Sequence, residues 1–268
     1  MLNKISAIQM CSSNIVEENL ETASRLIEEA ALNGAKLIVL PEMFPMIGNH
    51  ANDKVVIKEP YSNGKIQSFL SNQAAKFNVW IVGGTIPIAC ENEHKIKAAC
   101  LVYNNAGACV ARYDKIHLFD AVISESEAYK ESDTTEPGCE VVVVDTPFGK
   151  LGLSVCYDIR FPALYTKLLN LGAEIITIPS AFTMKTGAAH WELLARSRAV
   201  ENFCYVVGAC QGGTHRSGRQ TYGHSLIVEP WGNVIQEATE PGNTIIYADI
   251  DLNYLHKMRA AIPIAEQR

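Results

Sequence analysis

Leu151-Gly152-Leu153-Ser154-Val155-Cys156-Tyr157-Asp158-Ile159-Arg160-Phe161-Pro162 runs from an apolar segment through a thiol into a turn. A short apolar run bounded by turn residues reads as a buried strand. Cys156 therefore stands where a rigid strand breaks and can present its side chain to a substrate. Pro162 suits the first turn of a helix, where its fixed φ is pre-set and its missing N–H is not needed. That helix is expected to run to about Leu171 and to stop at Gly172. Two other apolar segments end in a similar way, Leu37-Ile38-Val39-Leu40-Pro41-Glu42 and Ala111-Arg112-Tyr113-Asp114-Lys115. A carboxylate, an ammonium and a thiol thus all sit at strand ends, a set suited to amide chemistry.

Outward from these segments, residues 5–10 read as a strand, and Asn14 to Glu17 has the spacing of a helix-capping box. Ile15, Val16, Leu20, Ala23, Leu26, Ile27, Ala30 and Ala31 recur at helical intervals until Gly34. A fully apolar strand follows at 36–40, a helix near 64–77 and a strand at 79–83. Hairpins are expected for 97–104 with 108–113, and for 140–145 with 150–155. Beyond the Pro162 helix come a strand at 174–178, an amphipathic helix at about 188–202 and a strand at 204–210. Residues 222–228 and 233–237 pair around Glu229-Pro230-Trp231-Gly232, and 244–250 adds a last strand. Hairpins mixed with strand-helix-strand units fit neither a pure parallel sheet nor a pure sandwich, so the fold class is α/β, with mixed sheets covered by helices. Residues 120–139, rich in Ser, Glu, Thr and Pro, look too polar for a strand and are read as a long loop beside the Lys115 strand end. No linker, low-complexity tract or repeat divides the chain, so one domain over 1–268 is expected.

The chain has 268 residues, 48% of them hydrophobic, with 29 acidic against 23 basic residues and a net charge of −6. Without a run of basic residues, neither nucleic acid nor an anionic membrane is expected as a partner. No apolar stretch approaches the roughly 18 residues needed to cross a bilayer, and Met1-Leu2-Asn3-Lys4-Ile5 leads straight into a strand, so the expected location is cytoplasmic. The eight cysteines form no CxxC and lie mostly in apolar segments, where free Cys acts as a small hydrophobe.

A free thiol has a pKa near 8.5, so only a few per cent is thiolate at neutral pH and a neighbouring base or cation must activate it. Glu42 can take the proton and return it to a leaving amine. Lys115 and the Tyr157 backbone N–H can hold the oxyanion. The rival chemistry is a Cys-His hydrolase with His117, His190 or His224 as base, and the rival class is a catalytically silent binding module.

Leu40-Pro41-Glu42-Met43-Phe44, Tyr113-Asp114-Lys115-Ile116-His117-Leu118-Phe119-Asp120 and Gly152 to Pro162 resemble, in order, the three signatures of the nitrilase superfamily of carbon-nitrogen hydrolases. The resemblance implies a four-layer α-β-β-α sandwich, a Glu-Lys-Cys triad on Glu42, Lys115 and Cys156, and no metal or organic cofactor. It also implies a second glutamate, Glu131 in Tyr129-Lys130-Glu131-Ser132, orienting Lys115 or the substrate. Pro179-Ser180-Ala181-Phe182, Thr186-Gly187, Ala189-His190-Trp191-Glu192 and Arg196-Ser197-Arg198-Ala199 are similar to the Nit branch. Ser180, Gln211-Gly212-Gly213 with His215, and Thr221 to Ser225 are more similar to its deaminated glutathione enzymes than to its ω-amidases.

The implied substrate is a small-molecule amide. The first expectation is deaminated glutathione, cleaved to 2-oxoglutarate and cysteinylglycine. The alternatives are 2-oxoglutaramate or 2-oxosuccinamate, as in ω-amidases, or an N-carbamoyl compound. Arg160 is a candidate for the oxo-acid carboxylate, unless it caps local carbonyls or pairs with Asp158. Phe182 and Thr183 are further substrate contacts, and Lys185 is a candidate for the far glycine carboxylate. A homodimer is implied, through the helix after Cys156. The segment from His256 to Arg268 either crosses to a partner or frays.

Overall fold

Alternation along the strand Asn3–Gln9 divides the core of this computed structural model, which describes residues 3–125 and 127–267. Successive side chains on a strand point to opposite faces. Ile5 and Ala7 accordingly join Leu37, Val39, Val82, Cys100 and Val102 in one buried cluster. Ile8 joins Ile38, Leu40, Ile81, Ala99, Leu101 and Tyr103 in another. The second cluster is completed by Leu20, Ala23, Leu26 and Ile27 of the helix Val16–Leu32 and by Ile66, Leu70 and Ala74 of the helix Lys65–Phe77. Two helices therefore cover one face of this sheet, and its other face meets a second sheet.

The first sheet runs Thr244–Ile250, Asn3–Gln9, Leu37–Val39, Trp80–Val82, Ile96–Tyr103, with Cys109–Asp114 on the far edge. Ile86–Ala89 pairs with Ile96–Ala99 on the same edge as Trp80–Val82, as one strand line broken near Gly83-Gly84. The second sheet runs Val234–Glu237, Leu226–Val228, Tyr205–Gly208, Ile175–Thr177, Gly149–Leu153, Val143–Thr146. In each sheet three central strands are parallel and their flanking neighbours antiparallel. This is the mixed pairing expected from the hairpins and crossover units.

Two glycines show which face of the second sheet carries its helices. A Cβ on Gly152 would meet Leu168 at 3.3 Å, and one on Gly208 would meet the Trp191 ring at 2.4 Å. Leu168 lies on the helix Pro162–Asn170 and Trp191 on the helix Met184–Asn202. Leu151, Leu153, Ile175 and Val207 have the opposite parity and fill the space between the sheets with Ile5, Leu37 and Val39. The result is a four-layer α-β-β-α sandwich.

Several local expectations differ from the structure. The box at Asn14 does not form: Ile15 is the cap residue, in extended conformation, with no side-chain cap. Instead Ser13 Oγ accepts from the Ile15 N–H at 3.1 Å and donates to Glu18 at 2.9 Å. The long loop at 120–139 contains a hairpin, Asp120–Ser124 with Glu127–Lys130, followed by a 3-10 turn at Glu131–Asp133. Among the described residues the hairpin pairs only with itself, outside both sheets and partly exposed, so its polarity is no obstacle to strand formation. The helix expected from 188 begins at Met184, because Thr183 Oγ1 accepts from the Thr186 N–H. Residues 252–261 form a helix capped by Asp251 rather than a frayed end. Arg259 docks it on its own chain through the carbonyls of Phe203, Ala173 and Asn202; Arg268 lies outside the described residues.

The contact at Gly208 is directly testable. Gly208→Ala should cost roughly 1–3 kcal/mol by overpacking against Trp191, read as a lower urea midpoint with an unchanged slope.

Candidate active site

Glu42, Lys115 and Cys156 each follow a strand, the first two from one sheet and the third from the other. The backbone around Glu42 is held by neighbours. The Gln211 side chain donates to the Glu42 carbonyl at 3.1 Å, and the Met43 N–H donates to Thr85 Oγ1 at 2.9 Å. Gly84, at φ +55°, brings its backbone so close that a Cβ would lie 2.0 Å from the Pro41 carbonyl oxygen. Only glycine fits that approach. Lys115 is anchored on both sides: its N–H donates to Ala98 and its carbonyl accepts from Gly138.

Cys156 has φ +48°, a left-handed conformation that side chains rarely adopt. Such a residue costs on the order of 1 kcal/mol and persists where its surroundings impose it. Here the Cys156 N–H donates to Pro179 at 2.9 Å, and the 3-10 turn Cys156–Arg160 follows at once. Asp158, fully buried, fixes the turn. Its carboxylate accepts from the Val155 N–H at 2.9 Å, the His117 N–H at 3.0 Å and the Tyr113 hydroxyl at 2.7 Å, and contacts His117 Nδ1 at 2.7 Å. One carboxylate thus joins the strand end carrying Lys115 to the turn carrying Cys156.

The side chains then converge. Lys115 Nζ donates to Glu42 Oε1 at 2.8 Å and to Glu131 Oε2 at 2.9 Å, with only 2% of its side chain exposed. The Phe119 N–H holds Glu131 in turn, at 2.7 Å. Burial alone would lower the pKa of the Lys115 ammonium, but Glu131 and Glu42 outweigh it and hold it well above its ordinary value. Burial alone would raise Glu131, but Lys115, Lys54 and the Phe119 N–H bring it below the usual carboxylate value. Burial, reinforced by the Glu42 carboxylate, pushes the Cys156 thiol well up. Cys156 therefore rests as a neutral thiol beside the Glu42 carboxylate.

These groups open on a cavity of about 300 Å³, which Tyr157, Arg160, Phe182 and Thr183 also line. Arg160 does not pair with Asp158, whose oxygens are already taken. It lies over the rings of Tyr157 and Phe182, with its Nη2 3.2 Å from His190 Nδ1. Lys185 is not at the cavity: its ammonium donates to the Ile123 carbonyl, tying a helix start to the outer hairpin. The histidines offered as bases are engaged elsewhere, His117 with Asp158 and the stacked Phe161 ring, His190 with Arg160, and His224 with Glu237. Besides Lys130, which neighbours Glu131, two cavity cations had no signal in the sequence. Lys54, on the short helix Asp53–Val56, donates to Thr135 Oγ1 at 2.9 Å, and Arg219 leans over Tyr129. Arg219 falls between Gln211-Gly212-Gly213 and Thr221-Tyr222-Gly223, so its neighbours carried a signal that it did not.

A thiol, two carboxylates and a buried ammonium between two layered sheets define a hydrolase of carbon-nitrogen bonds. The family model described as carbon-nitrogen hydrolase matches residues 4–260. The chain is 40% identical over 268 residues to the deaminated glutathione amidase of Mus musculus, covering 98% of this chain and 82% of that protein. It is 40% identical to nitrilase homolog 2 of Dictyostelium discoideum, covering 99% and 80%. The crystal structure of Saccharomyces cerevisiae Nit3, described as a member of branch 10 of the nitrilase superfamily, matches with TM-score 0.87 and 35% identity, covering 98% of this chain and 94% of that one. The chain belongs to the carbon-nitrogen hydrolase family and is an amide-hydrolysing enzyme similar to Nit-branch proteins.

Asp158→Asn should place an amide N–H₂ against groups that themselves donate, costing roughly 1–3 kcal/mol and slowing amide hydrolysis. Wild-type urea stability together with a wild-type rate would remove its positioning role. Because the Glu131 pKa is lowered in the folded state, its stabilisation is present above its unfolded pKa of about 4.3 and fades as pH falls through the folded value. Glu131→Gln should remove that part of the acid limb from stability measured as pH falls below about 5.

Proposed function

We propose that the cavity hydrolyses the amide joining a 2-oxoglutaryl group to cysteinylglycine, with Cys156 as nucleophile. The observation that carries this reading is the Lys115 ammonium clasped between Glu42 and Glu131, with the Cys156 thiol lining the same cavity. Cys156 Sγ attacks the carbonyl carbon as its proton passes to Glu42. The oxyanion is held by Lys115 Nζ and the Tyr157 N–H. When the intermediate collapses, the C–N bond breaks and Glu42 returns the proton to the leaving amine. Water then gives a proton to Glu42 and attacks the thioester carbon; the C–S bond breaks, Glu42 returns the proton to the departing sulfur, and the carboxylic acid leaves with the Cys156 thiol restored. Glu131 orients Lys115 throughout. Arg160 receives the oxo-acid carboxylate, while Phe182 and Thr183 shape the wall beside it. The substrate assignment is supported by the name of the mouse relative, which is 40% identical over nearly the whole chain.

No helix among the described residues is long and apolar enough to cross a membrane. The cytoplasm is the proposed location. A homodimer is the proposed assembly, formed through the outer layer of Pro162–Asn170 and Met184–Asn202, where Leu193, Val200 and the nearby Trp231 are exposed. Light scattering should return twice 29.4 kDa, and a monomer mass would remove the dimer.

The deciding experiment follows 2-oxoglutarate release from deaminated glutathione and from 2-oxoglutaramate, with Cys156→Ala as control. A kcat/KM preference of about tenfold or more for the former, about 1.4 kcal/mol of differential transition-state binding, supports the reading. The reverse preference moves the assignment to an ω-amidase. Lys115→Met should slow the chemical step by roughly two to three orders of magnitude. Mass spectrometry of a quenched reaction should find the acyl adduct on Cys156 and on no other cysteine.

A further inference from the structure

The arginines of this chain divide by partner. Arg112, Arg196, Arg198 and Arg216 each lie against a carboxylate. Arg160 and Arg219, which line the cavity, have no acidic partner among the described residues. Arg219 is held above Tyr129, 5.4 Å from its ring centroid and close to its hydroxyl, and its Nη2 donates to the Ala181 carbonyl at 3.4 Å. Its Nε is buried without a hydrogen-bond partner. A guanidinium with spare donors at a cavity wall is an incomplete interaction that an anionic group completes.

Charge at the cavity points the same way. Lys54, Lys115, Lys130, Arg160 and Arg219 line it against Glu42 and Glu131, and Lys130 is paired with Asp133 outside it. Setting Lys130 aside and counting histidine as neutral, four cations minus two carboxylates leaves +2, inside a chain of net −6. A cavity whose sign opposes that of its protein concentrates anions, and +2 matches a substrate with two carboxylates.

Arg219 is also carried on a rigid turn. The His215 N–H donates to the Arg219 carbonyl at 2.8 Å, and the Gly218 N–H donates to His215 at 2.8 Å. The buried His215 ring lies between the Ser12 carbonyl, 2.9 Å from Nδ1, and Thr221 Oγ1, 2.7 Å from Nε2. Burial lowers the His215 pKa, so a neutral ring donates from Nδ1 and accepts the Thr221 hydroxyl at Nε2. A base packed this way spends little entropy when the side chain it carries meets a ligand.

We propose that Arg219 is a specificity-determining residue that binds the carboxylate of the leaving dipeptide, at the far end of the substrate from the oxo-acid carboxylate held by Arg160. This rests on the amidase reading above and gives Arg219 the role for which Lys185 lies out of place. The pocket would then select amides whose amine half ends in a carboxylate and discriminate against primary amides of the same acyl group.

The test compares deaminated glutathione with its C-terminal carboxamide, which differs only by that one charge, in the wild type, Arg219→Ala and Arg219→Lys. Wild type should prefer the free acid in kcat/KM by roughly 30-fold, the ratio that about 2 kcal/mol of charged hydrogen bonding provides. Arg219→Ala should bring the ratio close to one, with Arg219→Lys between the two. A ratio that survives in Arg219→Ala, or a parallel fall for both compounds at constant ratio, overturns the assignment and leaves Arg219 a structural residue. A wild type that hydrolyses both equally well overturns this inference alone. Hydrolysis of neither overturns the substrate reading with it.

Discussion

A single buried ammonium sets the terms for everything around it. Taking Lys115 out of water is costly, and Glu42 and Glu131 on either side offset that cost. Removing either carboxylate would leave charge stranded in a dry site. The requirement reaches far along the chain: Glu42 must arrive from the strand Leu37–Val39, Lys115 from the strand Cys109–Asp114, and Glu131 from the turn after an outer hairpin. Phe119 closes the circle by giving its N–H to Glu131 from the segment that leads out of Lys115.

Cys156 belongs to the other sheet, so its distance from this cluster depends on how the two sheets stack. The apolar side chains between them set that spacing, and Asp158 joins the two halves directly. The left-handed backbone at Cys156 turns the chain sharply at the wall of the cavity that the Glu42 carboxylate also lines. Burial and that carboxylate keep the sulfur protonated. In the proposed mechanism the nucleophile is therefore generated during the reaction, with Glu42 lining the same cavity to take the proton.

The cavity and the protein surface differ in sign. A net-negative exterior around a net-positive cavity favours entry of an anion over adhesion of anions elsewhere. Lys54 contributes at close range: burial lowers its pKa and the Glu131 carboxylate opposes that, so its charge depends on the cluster it helps to balance.

Much of this was legible in the residues because it is local. Apolar runs ending in Pro41-Glu42, Asp114-Lys115 and Val155-Cys156 announce strands with polar side chains at their ends, and the alternation of hairpins and helices announces mixed sheets. The misses are local signals overruled by contacts from elsewhere. Ser13, not Asn14, meets the helix start, and the polar stretch at 120–130 forms a hairpin because it packs outside the sheets. Lys185 points to the Ile123 carbonyl, and Arg219, silent in the sequence, faces the cavity. The sequence by itself determined which segments are strands and which chemical groups end them, since strand and turn preferences act over a few neighbours. Only the tertiary structure decided that Asp158 bridges two sheets, that the thiol is neutral at rest and which cations line the cavity, because each depends on distances between residues far apart in the chain.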